Sequence, residues 1–144
     1  MNTETKLAQI RAFTGCPEFP DIYSLGELFH PNGCGPCLHP WLSWLIPDWL
    51  PGLGSFQAAC DLHDYRYFIG GTEADRRRAD RELKAFMCWL VRESNWFVRR
   101  WMFRIATVYW GSVWYGGTRA FNYTLTLTKS TPSYPSVVVT HTRL

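Results

Sequence analysis

The chain has 144 residues and a formal net charge of +3 at pH 7, since 15 basic side chains outnumber 12 acidic ones. Charged residues make up 19% of the chain and hydrophobic residues 47%, which excludes a mainly disordered protein and predicts a single domain with a sizeable core. The positive surplus is too small to indicate nucleic acid as a partner, and it suits an anionic membrane surface equally well.

The hydrophobic pattern predicts a mainly α fold, in one small domain over residues 1–144. A short amphipathic helix over residues 1–13 precedes an irregular stretch, rich in Gly and Pro, over residues 14–55. The pattern then predicts two long helices and a further apolar helix, with bounds Phe56–Phe68, Thr72–Glu93 and Trp96–Tyr115. The Gly70-Gly71 stop signal makes the two long helices antiparallel neighbours.

Three segments carry weaker signals: the two ends of the chain and part of the third predicted helix. Residues 1–11 have neither the basic start nor the apolar stretch of a secretory signal. The best candidate for a membrane span, Ile105–Tyr115, is about half of the roughly 20 residues that cross a bilayer, so a buried or interfacial helix is expected there and the localisation stays open. The tail over residues 118–144 allows a short β-hairpin, with disorder as the alternative.

The segment most informative about chemistry lies in the first long helix. At about 100° per residue, one helix face carries an imidazole amid apolar neighbours, with a carboxylate, Asp64, to one side. A histidine aimed at the core requires a partner for its ring nitrogens. The residues on this face are Phe56, Ala59, Cys60, His63 and Tyr67.

The second long helix offers such a partner. Asp80 lies at the edge of its apolar stripe, between Leu83 and positions expected to be in solvent, and a buried acid requires hydrogen-bond donors. His63 and Tyr67 are suitable donors on the neighbouring helix. A histidine held in one tautomer by a buried aspartate is a general base that can deprotonate water. The alternative is a histidine that is only a satisfied core residue.

A loop upstream of these helices suggests a metal site. Residues 31–37 read Pro-Asn-Gly-Cys-Gly-Pro-Cys, and small, turn-favouring residues let backbone carbonyls converge on one point. Ca²⁺ takes six to eight oxygen ligands, including carbonyls and carboxylates, and Asp64 could supply a carboxylate. An ordinary turn is the alternative interpretation of the loop.

Together these motifs resemble the phospholipase A2 superfamily, in particular its group XII-like and its bacterial or viral members. The resemblance rests on Asn32-Gly-Cys-Gly-Pro, then Ala59-Cys-x-x-His-Asp-x-x-Tyr67, then Ala79-Asp80-x-x-Leu, and it covers residues 31–90. It implies that His63 is the general base and Asp80 its orienting acid. Tyr67 then corresponds to the tyrosine that bonds this acid, and Asp64 to the calcium carboxylate.

The same resemblance assigns roles in the loop. The carbonyls of Gly33, Gly35 and Cys37 correspond to calcium ligands, and the amide of Gly35 corresponds to an oxyanion donor. Cys34 and Cys60 correspond to a pair of cysteines that the family joins by a disulfide.

The sequence also departs from the family pattern. Ala59 replaces the usual second cysteine before the histidine motif, and Arg66 stands where secreted members often have cysteine. Cys37 occupies a position that usually holds a small residue, which makes it the least secure of the implied ligands.

The function that the resemblance implies is calcium-dependent hydrolysis of the sn-2 ester of glycerophospholipids, giving a lysophospholipid and a fatty acid. The expected partner is a phospholipid membrane surface, and no nucleic acid or obligate protein partner is expected. The arginine run at residues 76–78 is expected to be a solvated helix face. A tryptophan-rich segment is expected to place side chains at the membrane interface, namely Trp41, Trp44, Trp49 and Leu50. The alternative is that these side chains pack in the core.

Two other interpretations compete with a hydrolase. Cys34, Cys37, Cys60 and His63 have the spacing of a tetrahedral zinc site, which would make the chain a small zinc-stapled binding module. A non-catalytic relative that only binds membranes is the second alternative. The zinc interpretation leaves Asp64, Tyr67 and Asp80 without a role.

Overall fold

The structure is a computed structural model that describes residues 2–31 and 56–123. Within these residues the chain is mainly helical, with no strand, and forms the single small domain predicted. The predicted hairpin in the tail lies outside the described residues. The elements are α1 (Thr3–Thr14), a 3₁₀ segment (Ile22–Leu28), α2 (Gln57–Ile69), α3 (Glu73–Leu90), α4 (Trp96–Gly116) and a 3₁₀ turn (Gly117–Arg119).

The helix boundaries follow from local capping chemistry. The side chain of Asn2 accepts a hydrogen bond from the Thr5 amide at the start of α1. Thr72 and Asp75 form a reciprocal capping box at the start of α3. Helix α3 ends at Leu90 rather than at the predicted Glu93, because Asn95 caps α4 and the residues between the helices form a turn.

The turn between α2 and α3 requires glycine. Gly70 and Gly71 have φ values of 74° and 134°, a region that residues with a Cβ rarely adopt. The Gly71 amide donates to the carbonyl of Asn122 at 3.0 Å, and a side chain at Gly70 would collide with the same carbonyl. The two glycines therefore reverse the chain and also let the segment after α4 pack against the turn.

The core lies between the helices, and α3 contacts both α2 and α4, while α1 packs on α2. The predicted inner face of α2 is buried, since Phe56 is fully buried and His63 and Tyr67 are 7% and 8% exposed. A stacked pair of rings, Phe13 and Phe86 with centroids 4.2 Å apart, joins α1 to α3. Across the described helices, no stretch has the length and apolarity needed to cross a bilayer.

The turn after α4 approaches the inner face of α2 closely. Gly117 is buried, and a Cβ atom placed on it would collide with the phenolic oxygen of Tyr67. Gly111, in the middle of α4, has open space around the corresponding position. The two glycines of this region therefore differ in what surrounds them.

We expect Gly117→Ala to lower the free energy of unfolding by about 1–3 kcal/mol, because the added methyl group must displace the Tyr67 ring. Gly111→Ala is the matched control, which should raise stability by about 0.5–1 kcal/mol as alanine replaces glycine inside a helix. Urea unfolding of both variants measures the difference. Equal effects of the two substitutions would show that Tyr67 does not occupy the space beside Gly117.

Candidate active site

The structure brings His63 and Asp80 together. Nε2 of His63 lies 3.1 Å from Oδ1 of Asp80, and the two side chains are 8% and 0% exposed. Because a carboxylate only accepts hydrogen bonds, this contact places the ring proton on Nε2 and leaves the lone pair on Nδ1. No residue in the described part of the chain hydrogen-bonds Nδ1.

Asp80 accepts hydrogen bonds on both of its oxygens. Oδ1 also accepts from the hydroxyl of Tyr67 at 2.6 Å, and Oδ2 accepts from Nη1 of Arg76 at 2.8 Å. A fully buried carboxylate is costly unless such donors replace its water shell. Asp80 therefore has a hydrogen-bonding environment suited to its charged form.

Arg76 corrects one expectation from the sequence. The arginine run was predicted to face solvent, but the Arg76 residue is 3% exposed and only Arg77 is clearly on the surface. The spacing of four residues between Arg76 and Asp80 puts both on one side of α3, and the i,i+4 pair was the signal available in the sequence. The burial of that side could not be read from α3 alone.

The hydrogen-bond network continues beyond Arg76 to the surface. Arg76 donates from Nε and Nη2 to the two oxygens of Glu73, at 2.9 and 2.8 Å. Glu73 also accepts from Arg77 and from the hydroxyl of Tyr123. Hydrogen bonds from Arg76, Arg77 and Tyr123 hold the pKa of Glu73 well below its usual range. Glu73 thus fixes the guanidinium that faces Asp80.

Tyr67 is held on its other sides by rings and by backbone. Its ring centroid lies 4.1 Å from that of His63 and 5.1 Å, edge to face, from that of Phe121. Burial, and then the hydrogen bond to Asp80, raise the pKa of the Tyr67 hydroxyl well above its usual range. The phenol therefore stays a proton donor to Asp80 under alkaline conditions that ionise ordinary tyrosines.

The predicted calcium ligands are only partly within the described residues. Asp64 follows His63 on α2 and is partly exposed, so its carboxylate could contribute one oxygen to a hard cation. Gly33, Gly35 and Cys37 lie outside the described residues. Within residues 2–31 and 56–123, no three side chains of the metal-ligating types cluster together. The donor set for a cation thus stays a prediction that combines Asp64 with backbone carbonyls of the loop.

Three cysteines lie in the described region. Cys16 and Cys88 are free thiols, and Cys60 is buried on α2 beside the candidate site. The predicted pairing of Cys60 with Cys34 involves a residue outside the described residues and stays a prediction. Burial raises the pKa of the Cys88 thiol.

A second buried carboxylate, Asp61, was missed by the sequence analysis. It lies on α2 and is 1% exposed, and its Oδ2 accepts from Nζ of Lys6 at 2.9 Å and from the hydroxyl of Tyr23 at 2.8 Å. Both donors come from the N-terminal part of the chain, so this cluster ties α1 and the 3₁₀ segment to α2. Spacing in the sequence carries no signal for contacts between such distant segments.

Arg66 also forms a contact between helices. It is 6% exposed, and its guanidinium donates to both oxygens of Glu82 on α3, at 2.8 and 3.2 Å. A bidentate pair of this kind is strong and directional when partly buried. Helices α2 and α3 are therefore joined by an ion pair on one side and by the His63–Asp80 contact on another.

The sequence matches no protein-family model, no curated protein and no solved structure. The resemblance to the phospholipase A2 superfamily therefore rests on the motif residues alone.

We expect Arg76→Met to destabilise the protein by about 3–5 kcal/mol, because it leaves the buried Asp80 carboxylate without its cationic partner. Arg77→Met is the matched control, since Arg77 is 54% exposed in its side chain and bonds the same Glu73, and its effect should stay within about 0.5 kcal/mol. Denaturant unfolding at neutral pH compares the two variants. If both substitutions cost the same, the Arg76–Asp80 pair contributes nothing special to stability.

Proposed function

We propose that the protein is a calcium-dependent hydrolase of the phospholipase A2 type, which cleaves the sn-2 ester of glycerophospholipids at a membrane interface. The observation that carries this proposal is the contact of His63 with a fully buried Asp80 through Nε2, which leaves Nδ1 available. The motif resemblance supplies the reaction and the substrate class.

The chemistry that these residues can perform follows from the tautomer. With the proton on Nε2, Nδ1 of His63 can take a proton from a water molecule as that water attacks an ester carbonyl. Asp80 then stabilises the imidazolium that forms, at 3.1 Å from Nε2, and holds the ring in orientation. Tyr67 and Arg76 also hydrogen-bond Asp80 and prevent the carboxylate from rotating away.

A calcium ion would supply positive charge for the ester carbonyl and for the lipid phosphate. In the proposal Asp64 gives it a carboxylate, and Gly33, Gly35 and Cys37 give it backbone carbonyls. The amide of Gly35 donates to the developing oxyanion. Asp64 is not among the residues that hydrogen-bond His63 or Asp80, so the base and the cation site are separate parts of the proposal.

The zinc alternative is less well supported by the described residues. Within residues 2–31 and 56–123, no three side chains of the metal-ligating types lie close enough to hold an ion, and Cys34 and Cys37 lie outside these residues. A zinc ion would take Nδ1 of His63, and the zinc interpretation gives no role to Tyr67 and Arg76, both of which hydrogen-bond Asp80. The contacts around Asp80 are those that a histidine–aspartate pair requires.

The His63→Gln variant tests the base. We expect it to fold and to lose roughly 10²–10⁴-fold in fatty-acid release from phospholipid vesicles, since glutamine cannot take the proton from water. His30→Gln is the matched control, because His30 is exposed and forms no hydrogen bond with His63 or Asp80, and it should keep full activity.

Circular dichroism of both variants shows whether they are folded. Activity of folded His63→Gln at the level of His30→Gln would remove His63 from the mechanism. Vesicle binding by the unmodified protein without any ester cleavage would instead favour the non-catalytic membrane-binding alternative.

Calcium removal tests the second part of the proposal. A chelator should abolish hydrolysis, and Asp64→Asn should raise the calcium concentration needed for half-maximal activity by roughly 10- to 100-fold, because it removes a charged ligand. Glu27→Gln, which neutralises an exposed acid on the 3₁₀ segment, serves as the matched control. An unchanged calcium requirement in Asp64→Asn would exclude Asp64 as a ligand, and activity in the presence of chelator would exclude the metal.

A further inference from the structure

The outer face of α4 is unusually apolar for a surface. Phe97 is 77% exposed, and Trp96 and Trp101 are 57% and 55% exposed. The opposite face of the same helix is used for packing, since Met102, Ile105 and Ala106 are buried in the core. The core therefore does not account for the aromatic side chains on the outside, which form an exposed patch of the kind that marks an interaction surface.

Arginines are interleaved with these aromatic residues. Arg99, Arg100 and Arg104 are all exposed, and α4 contains no acidic residue between Trp96 and Gly116. In the part of the chain that the structure describes, no carboxylate forms an ion pair with any of the three. The nearest acid in the sequence, Glu93, is paired with Arg92 at 3.0 Å. The positive charge of this face is therefore not neutralised by the described part of the protein.

The arginines and aromatic rings also enclose a shallow groove of about 490 Å³, lined by Trp96, Arg99, Arg100, Phe103 and Arg104. The guanidinium of Arg100 lies 5.8 Å from the centre of the Trp96 ring, which holds the arginine over the aromatic surface. Lys84 of α3 lies beside the far edge, 5.8 Å from the Phe103 ring. The groove thus combines apolar walls with donors that suit a phosphate.

We propose that this groove and the aromatic residues around it form a docking surface for anionic phospholipid membranes. The guanidinium groups bind lipid phosphates and acidic headgroups, and Trp96, Phe97 and Trp101 enter the boundary between headgroups and acyl chains. The inference rests on the proposed function for its role in bringing the protein to substrate, but its evidence comes from α4 and the neighbouring Lys84. It adds a helix that the structure describes to the membrane contact predicted for Trp41, Trp44, Trp49 and Leu50, which lie outside the described residues.

A second copy of the chain is the other occupant to consider. A two-fold contact through this face would bring its three arginines against the same three arginines of the partner copy, without an acid on α4 to pair with them. An anionic bilayer offers negative charge for the arginines of this face and an apolar layer for its aromatic side chains. Charge complementarity therefore favours a lipid surface.

The test is sedimentation of the full chain with vesicles of phosphatidylcholine alone and of phosphatidylcholine mixed with phosphatidylserine, in the presence of a chelator. We expect binding to the mixed vesicles that weakens with salt. Arg100→Gln/Arg104→Gln should weaken it by about 30-fold, from the attraction of two basic residues to an anionic surface. Phe97→Ser/Trp101→Ser should weaken it roughly tenfold or more through lost apolar insertion.

Matched controls lie elsewhere on the surface. Leu28→Ser changes an apolar residue that is 75% exposed on the 3₁₀ segment, and Arg81→Gln changes an exposed arginine on α3. Both should bind as the unmodified protein does. Equal binding of the α4 variants and the unmodified protein, or equal binding to neutral and anionic vesicles, would overturn the proposal. Light scattering could instead show a dimer that the Phe97→Ser/Trp101→Ser substitutions dissociate, with no binding to vesicles. That outcome would identify a second copy as the occupant and would also overturn the proposal.

A second assay, hydrolysis of a short-chain phospholipid below its critical micelle concentration, distinguishes a failure of this inference from a failure of the proposed function. If the monomeric lipid is hydrolysed but vesicle binding does not depend on α4, the docking surface is wrong and the hydrolase stands. If vesicle binding depends on α4 but neither the monomeric lipid nor the vesicle lipid is hydrolysed in the presence of calcium, the docking surface stands and the hydrolase is wrong.

Discussion

The rest of the structure depends on the burial of one carboxylate, that of Asp80. Its side chain is fully buried and accepts hydrogen bonds from His63, Tyr67 and Arg76, which replace the water that it loses on folding. Two of the three donors have further support: the ring of Tyr67 lies against Gly117, and Arg76 is fixed by Glu73. The position of the His63 ring is thus the result of a network that reaches from the core to the surface.

The C-terminal end of α4 belongs to this network as much as the motif helices do. The rings of Trp114 and the guanidinium of Arg76 lie 5.9 Å apart, and Phe121 packs edge to face on Tyr67. The Tyr123 hydroxyl completes the network by donating to Glu73 at 2.8 Å. The helix therefore contributes to the candidate site at one end and presents aromatic residues and arginines to solvent at the other.

Polar contacts between helices recur through the fold. Lys6 and Tyr23 bind the buried Asp61, and Arg66 binds Glu82 in a bidentate pair. Such pairs are directional, and breaking one partner costs more than the pair itself contributes, because the other charge is left buried. They fix how α2 sits against α1 and α3, whereas the surrounding apolar side chains supply most of the driving force for folding. For the candidate site, this means that the orientation of α2, and with it of His63, is set by contacts on several of its sides.

The sequence by itself determined the helices, their glycine stop at residues 70–71 and the face of α2 that carries His63, because periodicity and capping are local properties. It also indicated that Asp80 and Tyr67 could meet His63, since a two-glycine turn makes the two helices neighbours. The burial of Arg76, the contact of Gly117 with Tyr67 and the Asp61 cluster were decided only by the tertiary structure. Each depends on how deeply an element is covered by segments far away in the chain. The contact of Trp114 with Arg76 and that of Lys6 with Asp61 cannot be predicted from the spacing of neighbouring residues.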